Sequence, residues 1–316
     1  MFSESCIKDV NKKLITRANE LYYDNKGGDY EDDHDEIFLL ESARWKKISN
    51  LIFNSWAKKS NRVIVDFGCG TGFVPLSIMS DLNRDDYIYC IDVSSKMLSE
   101  CEKNLKKAGV CFKRSFLKID GSNCSIKDEI ADVVTVNSVL HHVSDPAMFL
   151  KEISRITKKG GYFIIGHESN EAFQNNKILW TIYRIFYYIY NPAAFLDPIK
   201  RRGWIKNISK KIKNEDLTTS KVNKALLSEG LIEKPFSEHQ LNMLVEINSV
   251  KGFFIEDIKK MLPLFKLKYV ESYNHLWWIY IKHSRNPFIS GINLLLKIVY
   301  PNHGKTLTLI FEKIKL

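Results

Sequence analysis

The chain has 316 residues, 45% of them hydrophobic and 12% aromatic. That composition supplies a sizeable core and excludes a wholly disordered, collagen-like or low-complexity chain. At roughly 150 residues per domain, the length allows one large domain or one domain with an elaboration. The net charge of +10 is uneven: residues 1–169 hold 24 basic and 25 acidic side chains, and residues 170–316 hold 23 and 12.

No uncharged stretch exceeds the 14 residues of Phe67–Ser80, short of the roughly 20 a spanning helix needs, so no transmembrane segment is expected. The first residues carry Glu4, Lys8, Asp9, Lys12, Lys13 and Arg17, a pattern without the apolar centre of a signal peptide, and a cytoplasmic protein is the expectation. The six cysteines (Cys6, Cys69, Cys90, Cys101, Cys111, Cys124) form no C-x-x-C pair. They read as reduced thiols rather than a disulfide framework or zinc site, and no metal is expected.

In chain order, Lys8–Tyr23 and Ile37–Trp56 have helical periodicity and flank a Gly- and Asp-rich loop, Asp24–Asp35. A strand at Arg62–Asp66 runs into Gly68, Gly70 and Gly72 and then the apolar run Phe73–Met79, which is strand, glycine turn, helix. Tyr87–Asp92 predicts a second strand, followed by a helix capped at Ser94 or Ser95 and stopped at Gly109. Val110–Ile119 predicts a third strand, and the β-branched Ala131–Val136 a fourth. Asp145-Pro146 opens a helix closed by Gly160-Gly161, and Tyr162–Gly166 is a fifth strand. Such alternation means βαβ units and a parallel sheet covered on both faces, wound by right-handed crossovers.

After Glu168 the rhythm breaks. An aromatic helix, Ile178–Tyr190, precedes a basic run of Lys200, Arg201, Arg202, Lys206, Lys210, Lys211 and Lys213. Such a run suits phosphates, anionic lipid or nucleic acid, or is simply solvated. Phe254–Leu262 reads as a helix, Leu267–Ser272 and Leu276–Ile281 as an antiparallel hairpin, and residues 284–316 as a helical tail.

The chemistry concentrates where strands end. The glycines of Val63-Ile-Val-Asp66-Phe-Gly68-Cys-Gly70-Thr-Gly72 follow G-x-G-x-G rather than the G-x-G-x-x-G of nicotinamide enzymes. An acid before the loop, Asp66, repels a pyrophosphate and suits an ammonium. Asp92 ends the second strand, where it can accept both hydroxyls of a ribose, and Asp120 ends the third. A ligand with ammonium, ribose and adenine but no phosphate is S-adenosylmethionine.

These segments resemble the motifs of the class I S-adenosylmethionine-dependent methyltransferases. Val63–Gly72 resembles the first motif, and Cys90-Ile-Asp92-Val-Ser94 with Met97-Leu98 the ribose motif. Asp120-Gly121 resembles the third, and Asp132–Val143 with Asn137 and His141-His142 the fourth in its small-molecule form. The resemblance covers about residues 60–168, and weakly 253–283. It implies a doubly wound, seven-stranded Rossmann-like α/β sheet of order 3-2-1-4-5-7-6 with an antiparallel seventh strand. The expected division of the chain is a helical lid at 1–60, a core at 61–169 and 251–283, an inserted cap at 170–250 and a helical tail at 284–316.

The resemblance places Asp66, Gly68, Cys69, Gly70, Gly72 and Asn137 around the methionine part. It places Asp92 on the ribose, Val93 and Met97 on the adenine, and Asp120 with Gly121 at the adenine amino group. His141 and His142 are candidate catalytic residues, since a histidine can take a hydroxyl proton as the C–S bond breaks. His167, Glu168, Glu238 and His239 are candidates to border the acceptor, and Tyr22, Tyr23 and Tyr30 to form a lid that excludes water. Asn137-Ser138-Val139-Leu140 lacks the Pro-Pro-aromatic signature of base amino-methylating relatives. The implied activity is methyl transfer to a small molecule, O-methylation favoured, giving S-adenosylhomocysteine. RNA methylation through the basic cap and a non-catalytic donor-binding module are the alternatives. Peripheral contact with an anionic membrane is a further expectation.

Overall fold

The computed structural model describes residues 12–26, 35–53, 60–119, 125–191, 211–276, 279, 283 and 285–315. Two helices open it, α1 (Lys12–Lys26) and α2 (Asp35–Phe53). Then come β1 (Val63–Phe67), α3 (Phe73–Ile78), β2 (Tyr87–Asp92), α4 (Ser95–Lys107), β3 (Lys113–Lys118), β4 (Ala131–Asn137), α5 (Pro146–Ile156) and β5 (Thr157–Ser169). The insert holds α6 (Glu171–Gln174), α7 (Lys177–Tyr190), α8 (Lys211–Ser228) and α9 (Glu238–Val245). The chain closes with α10 (Ile255–Met261), β6 (Phe265–Tyr273), α11 (Pro287–Val299) and β7 (Thr306–Lys313).

The seven strands lie in the order β3-β2-β1-β4-β5-β7-β6, as the motifs implied. The first five pair in parallel, and β7 runs antiparallel to both β5 and β6. β4 is buried along its length until Asn137, the continuous apolar run expected of a central parallel strand. Helices cover both faces. On one, Phe149, Leu150, Ile153 and Ile156 of α5 and Ile258 of α10 pack on Val65, Val134, Phe163 and Phe311. On the other, Trp45, Ile48 and Ile52 of α2 join Val74, Ile78, Leu98 and Leu105 against Ile64, Ile88 and Val133.

Local signals explain the helix starts. The Ser94 side chain accepts the Met97 N–H at 3.1 Å, and Met97, Leu98, Cys101 and Leu105 then bury at helical spacing. Asp145 accepts the Met148 N–H at 3.0 Å, with Pro146 at the first position of α5.

Four expectations need correction. First, α2 is not part of a lid: Trp45, Ile48 and Ile52 belong to the sheet's own core. Second, the seventh strand is Thr306–Lys313 rather than Leu276–Ile281, and residues 284–316 are a helix and a strand rather than a helical tail. Leu276 and Ile279 bury instead against Leu179 and Tyr183 of α7 and Leu296 of α11, and residues 277, 278, 280 and 281 lie outside the described residues. Third, the helix before β5 ends at Ile156. Gly160, at φ +73°, and Gly161 fall inside the strand, where the pairing with β4 shifts register. Fourth, the late hairpin is formed by β7 with β6 across α11.

Candidate cofactor and acceptor site

A cavity of about 790 Å³ opens at the carboxyl ends of β1, β2 and β4, the position where ligands bind open α/β sheets. Its floor is built from Phe67 at the end of β1 with Gly68 and Gly70 after it, and from Ile91 and Asp92 at the end of β2 with Val93 and Met97 after it. Asn137 at the end of β4 and Val139, His142 and Val143 after it form the opposite wall, with Met148 and Phe149 of α5 beside them. Residues of α1, including Arg17, Glu20 and Tyr23, roof it.

The glycine loop is shaped by necessity. Gly68 sits at φ +64°, and a Cβ there would collide with the Val139 side chain. Gly70 sits at φ +52°, with no heavy atom within 4 Å of where a Cβ would stand, so bare backbone faces the cavity. The loop is tied to β2 twice: Cys69 N–H donates to the Ile91 carbonyl at 2.9 Å, and Gly70 N–H to Asp92 Oδ2 at 2.9 Å.

Asp92 Oδ1 accepts the Ser94 N–H at 2.9 Å. Each carboxylate oxygen thus holds one backbone donor and keeps acceptor capacity for a hydroxyl. Burial raises the Asp92 pKa to about 6, opposed by the Ser94 and Gly70 N–H groups, so the carboxylate is ionised at neutral pH. These residues fit the nucleoside half of S-adenosylmethionine, whose ribose presents two hydroxyl donors.

Asp66, expected beside the ammonium, is not among the residues that line the cavity. It lies one residue before the strand's end, wholly buried, where Oδ1 accepts the Thr135 hydroxyl at 2.6 Å. Burial pushes its pKa well above the ordinary carboxyl range. Cys69 and Gly72 also stand outside the cavity lining: Cys69 is buried, and Gly72, at φ +100°, opens α3, where a Cβ would crowd Cys101. Asn137 is held by Trp45, whose Nε1–H donates to Asn137 Oδ1 at 3.0 Å. Asp120, Gly121 and Tyr30 lie outside the described residues.

The two histidines part company. His142 is half-buried and faces the cavity. Its Nδ1–H donates to the Val245 carbonyl at 2.8 Å, which in a neutral imidazole leaves the lone pair on Nε2. Tyr23 OH donates to that Nε2 at 2.9 Å. Burial and the neighbouring His141 lower the His142 pKa to about 4. His141 instead turns behind the wall, where Nδ1–H donates to Glu168 Oε2 at 2.8 Å. Burial opposes its cation, but Glu168 and Glu246 outweigh that and raise its pKa. Glu168 Oε1 accepts the Val139 and Leu140 N–H groups, both at 2.7 Å. Glu168 therefore clamps the loop after β4 rather than bordering the acceptor.

His141, His142 and Glu246 bring one potential ligand atom each within 4.8 Å of one another. A metal using His142 Nε2 would have to displace the Tyr23 hydroxyl. It would also lie near Lys305, whose pKa burial lowers to about 8 while Glu246 works to raise it.

The remaining candidates lie elsewhere. His167 Nδ1 is 3.2 Å from Glu41 Oε1 of α2, in a cluster with Tyr273. Glu238 and His239 occupy the exposed first turn of α9, after a Ser237–Gln240 capping box, and do not reach the cavity. Tyr22 packs edge-on against Tyr23 within the apolar cluster of α1, α8 and α9. Sequence reasoning missed Arg17, Glu20 and Lys118 at the cavity rim, where Lys118 pairs with Glu20 at 2.5 Å and Arg17 with Glu229 at 2.6 Å. No local motif marks such contacts, because they join residues 98 and 212 positions apart.

The strand order and the positive-φ glycine loop are those of a Rossmann-like methyltransferase fold. Residues 65–165 match the methyltransferase domain family. An uncharacterized methyltransferase of Schizosaccharomyces pombe is 26% identical over 157 residues, covering 46% of this chain and 51% of that protein. The ubiquinone/menaquinone biosynthesis C-methyltransferase of Wigglesworthia glossinidia brevipalpis is 23% identical over 142 residues, covering 45% and 56%. The chain thus spans little more than half the length of these curated relatives. A solved S-adenosylmethionine-dependent methyltransferase from Aquifex aeolicus is 13% identical, covers 87% of this chain and 98% of its own, and superposes with a TM-score of 0.42.

Proposed function

We propose that the cavity binds S-adenosylmethionine, with Asp92 on the ribose and the Gly68–Gly70 backbone and Asn137 beside the methionine part. The chain then moves the methyl group to a small, largely apolar acceptor bearing an ionisable hydroxyl, and the oxygen is the favoured target. The bound donor supplies a methyl group already activated on a sulfonium, so the protein's tasks are to position the acceptor, exclude water and take its proton. The observation that carries this reading is that Asp92 and the neutral, Nε2-accepting His142 face one cavity from opposite walls.

The acceptor lies against Val139, Val143, Met148 and Phe149, which favours an apolar body, and His142 Nε2 receives its hydroxyl proton once Tyr23 yields that position. Relatives named as C-methyltransferases of quinone biosynthesis support a second reading, methylation at a ring carbon. The same base would serve it, because loss of a ring hydroxyl proton raises electron density on the neighbouring carbons. RNA methylation through the basic run has less support, since no recognised nucleic-acid motif accompanies that run in the sequence.

Calorimetric titration with S-adenosylhomocysteine tests the donor half, and absence of binding would overturn the whole reading. Transfer of a labelled methyl group to phenols, quinols and hydroxylated lipids, with bulk RNA as a further acceptor, tests the rest. Transfer to RNA alone would overturn the small-molecule assignment.

A further inference from the structure

The helices α7 and α11 form a unit of their own beside the sheet. Leu179 and Tyr183 of α7 bury against Ile289 and Leu296 of α11, with Leu276 and Ile279 between them, and Phe186 meets Phe288 at 6.4 Å. Outside that small core both helices leave aliphatic side chains in solvent. Ile178, Ile185 and Ile189 are 54–63% exposed, and Phe288, Leu294, Leu295, Ile298 and Val299 are 58–69% exposed. The spacing of Ile178, Ile185 and Ile189, and of Phe288, Leu295 and Val299, makes a stripe along each helix. Eight of the eighteen large hydrophobic side chains exposed among the described residues stand on this pair. Concentration of that kind marks an interaction surface rather than ordinary scatter.

Charge says what the surface meets. Neither helix contains an aspartate or glutamate, while Lys177 and Arg184 lie on α7 and Lys297 on α11. Beyond Tyr190 the sequence enters the run from Lys200 to Lys213, seven basic side chains in 14 residues. Tyr190 and Tyr300 close the two helices, aromatic groups suited to the level of lipid headgroups. At 14 and 13 residues, each helix is too short to span a bilayer and long enough to lie in its surface. A second copy of the chain docking here in two-fold fashion would set basic rims against each other, whereas acidic headgroups neutralise them.

We propose that the α7–α11 helix pair seats this protein on the surface of an anionic bilayer, its aliphatic stripes in the headgroup–acyl boundary and its basic side chains among the phosphates. The inference does not depend on methyl transfer.

Co-sedimentation of the full chain with vesicles of phosphatidylcholine alone, and of phosphatidylcholine with phosphatidylglycerol, tests it. Binding is expected to the acidic vesicles and to weaken as salt is added. Leu295→Glu/Ile298→Glu should lower the partition about tenfold or more, and Lys177→Glu/Arg184→Glu to a similar degree. All four side chains are exposed, so melting temperature and S-adenosylhomocysteine affinity, read on the same samples, should hold. Equal partition of wild type and Leu295→Glu/Ile298→Glu, or no binding to acidic vesicles, would overturn the proposal. So would a dimer seen by light scattering that the same variant dissolves while vesicle binding stays unchanged.

Discussion

Tyr23 of α1 donates its hydroxyl proton to Nε2 of His142, 2.9 Å away, and so joins the roof of the cavity to its wall. The bond is possible because the Val245 carbonyl holds the other nitrogen protonated. Roof and insert are one apolar body: Ile15 and Ala18 of α1 bury with Val222 and Leu226 of α8 and Leu241, Leu244 and Val245 of α9. Toward the sheet, α1 offers polar groups such as Asp24, which accepts the Ser94 hydroxyl at 2.6 Å.

If His142 takes the acceptor's proton, His142→Ala should cut kcat by about two orders of magnitude while S-adenosylhomocysteine affinity stays within a few-fold. Tyr23→Phe should cost about tenfold or less, because it leaves the lone pair in place. With the His142 pKa near 4, the base is available throughout the neutral range, so kcat should show no histidine-like titration between about pH 5 and 8. Steady-state kinetics across pH with the true acceptor reads all three.

Asp92→Asn should weaken S-adenosylhomocysteine binding by about a hundredfold, the loss of two charge-assisted hydroxyl contacts at about 1.5 kcal/mol each. In the wild type, ribose hydroxyls favour the ionised carboxylate. Affinity should therefore fall as the pH drops through about 6, the Asp92 value, and binding near that pH should release protons. Calorimetry in buffers of differing ionisation enthalpy measures both effects.

Gly68→Ala and Gly70→Ala should separate stability from binding. Both residues have positive φ, worth about 1–2 kcal/mol for an L side chain. Gly68→Ala adds a collision with Val139 and should lower the melting temperature further. Gly70→Ala meets nothing in the protein, so its larger effect should be on S-adenosylhomocysteine affinity, the new methyl group standing where the ligand approaches.

Glu168→Ala should destabilise the fold by about 3–5 kcal/mol, because it strands the Val139 and Leu140 N–H groups and the buried His141. The raised His141 pKa fixes the sign with pH. The stabilisation that the carboxylates lend its cation is complete below about pH 6.5, the unfolded histidine value. It is lost as the pH rises through the folded value. Denaturant melts of the wild type and Glu168→Ala should converge on the alkaline side of that transition only by this ionic part, the amide contacts remaining lost.

Much of this was legible locally. The strands through Gly166, the caps at Ser94 and Asp145 and the sharp glycine turn all depend on neighbours a few residues apart, and Asp92 sits where strand periodicity puts it. Asp66 was expected at the ligand from its residue type, and its place one residue inside β1 sets it on Thr135, outside the cavity lining. Leu-Trp-Trp-Ile-Tyr-Ile at 276–281 reads as a strand on propensity alone, and only the competing demand of α7 and α11 for apolar partners accounts for Leu276 and Ile279. Thr306–Lys313 carries an equally good strand pattern. Its place between β5 and β6 is a long-range choice that no short window contains.

That arrangement has a bearing on assembly. β6 is the outer strand, and its one neighbour in the sheet is β7. As the polypeptide emerges from the ribosome, residues 265–273 precede Thr306–Lys313, their one strand partner among the described residues, by more than thirty positions and cannot dock until it has been made. The edge of β5 stays open over the same interval, a delay typical of non-local pairing and a moment of exposure to misassociation.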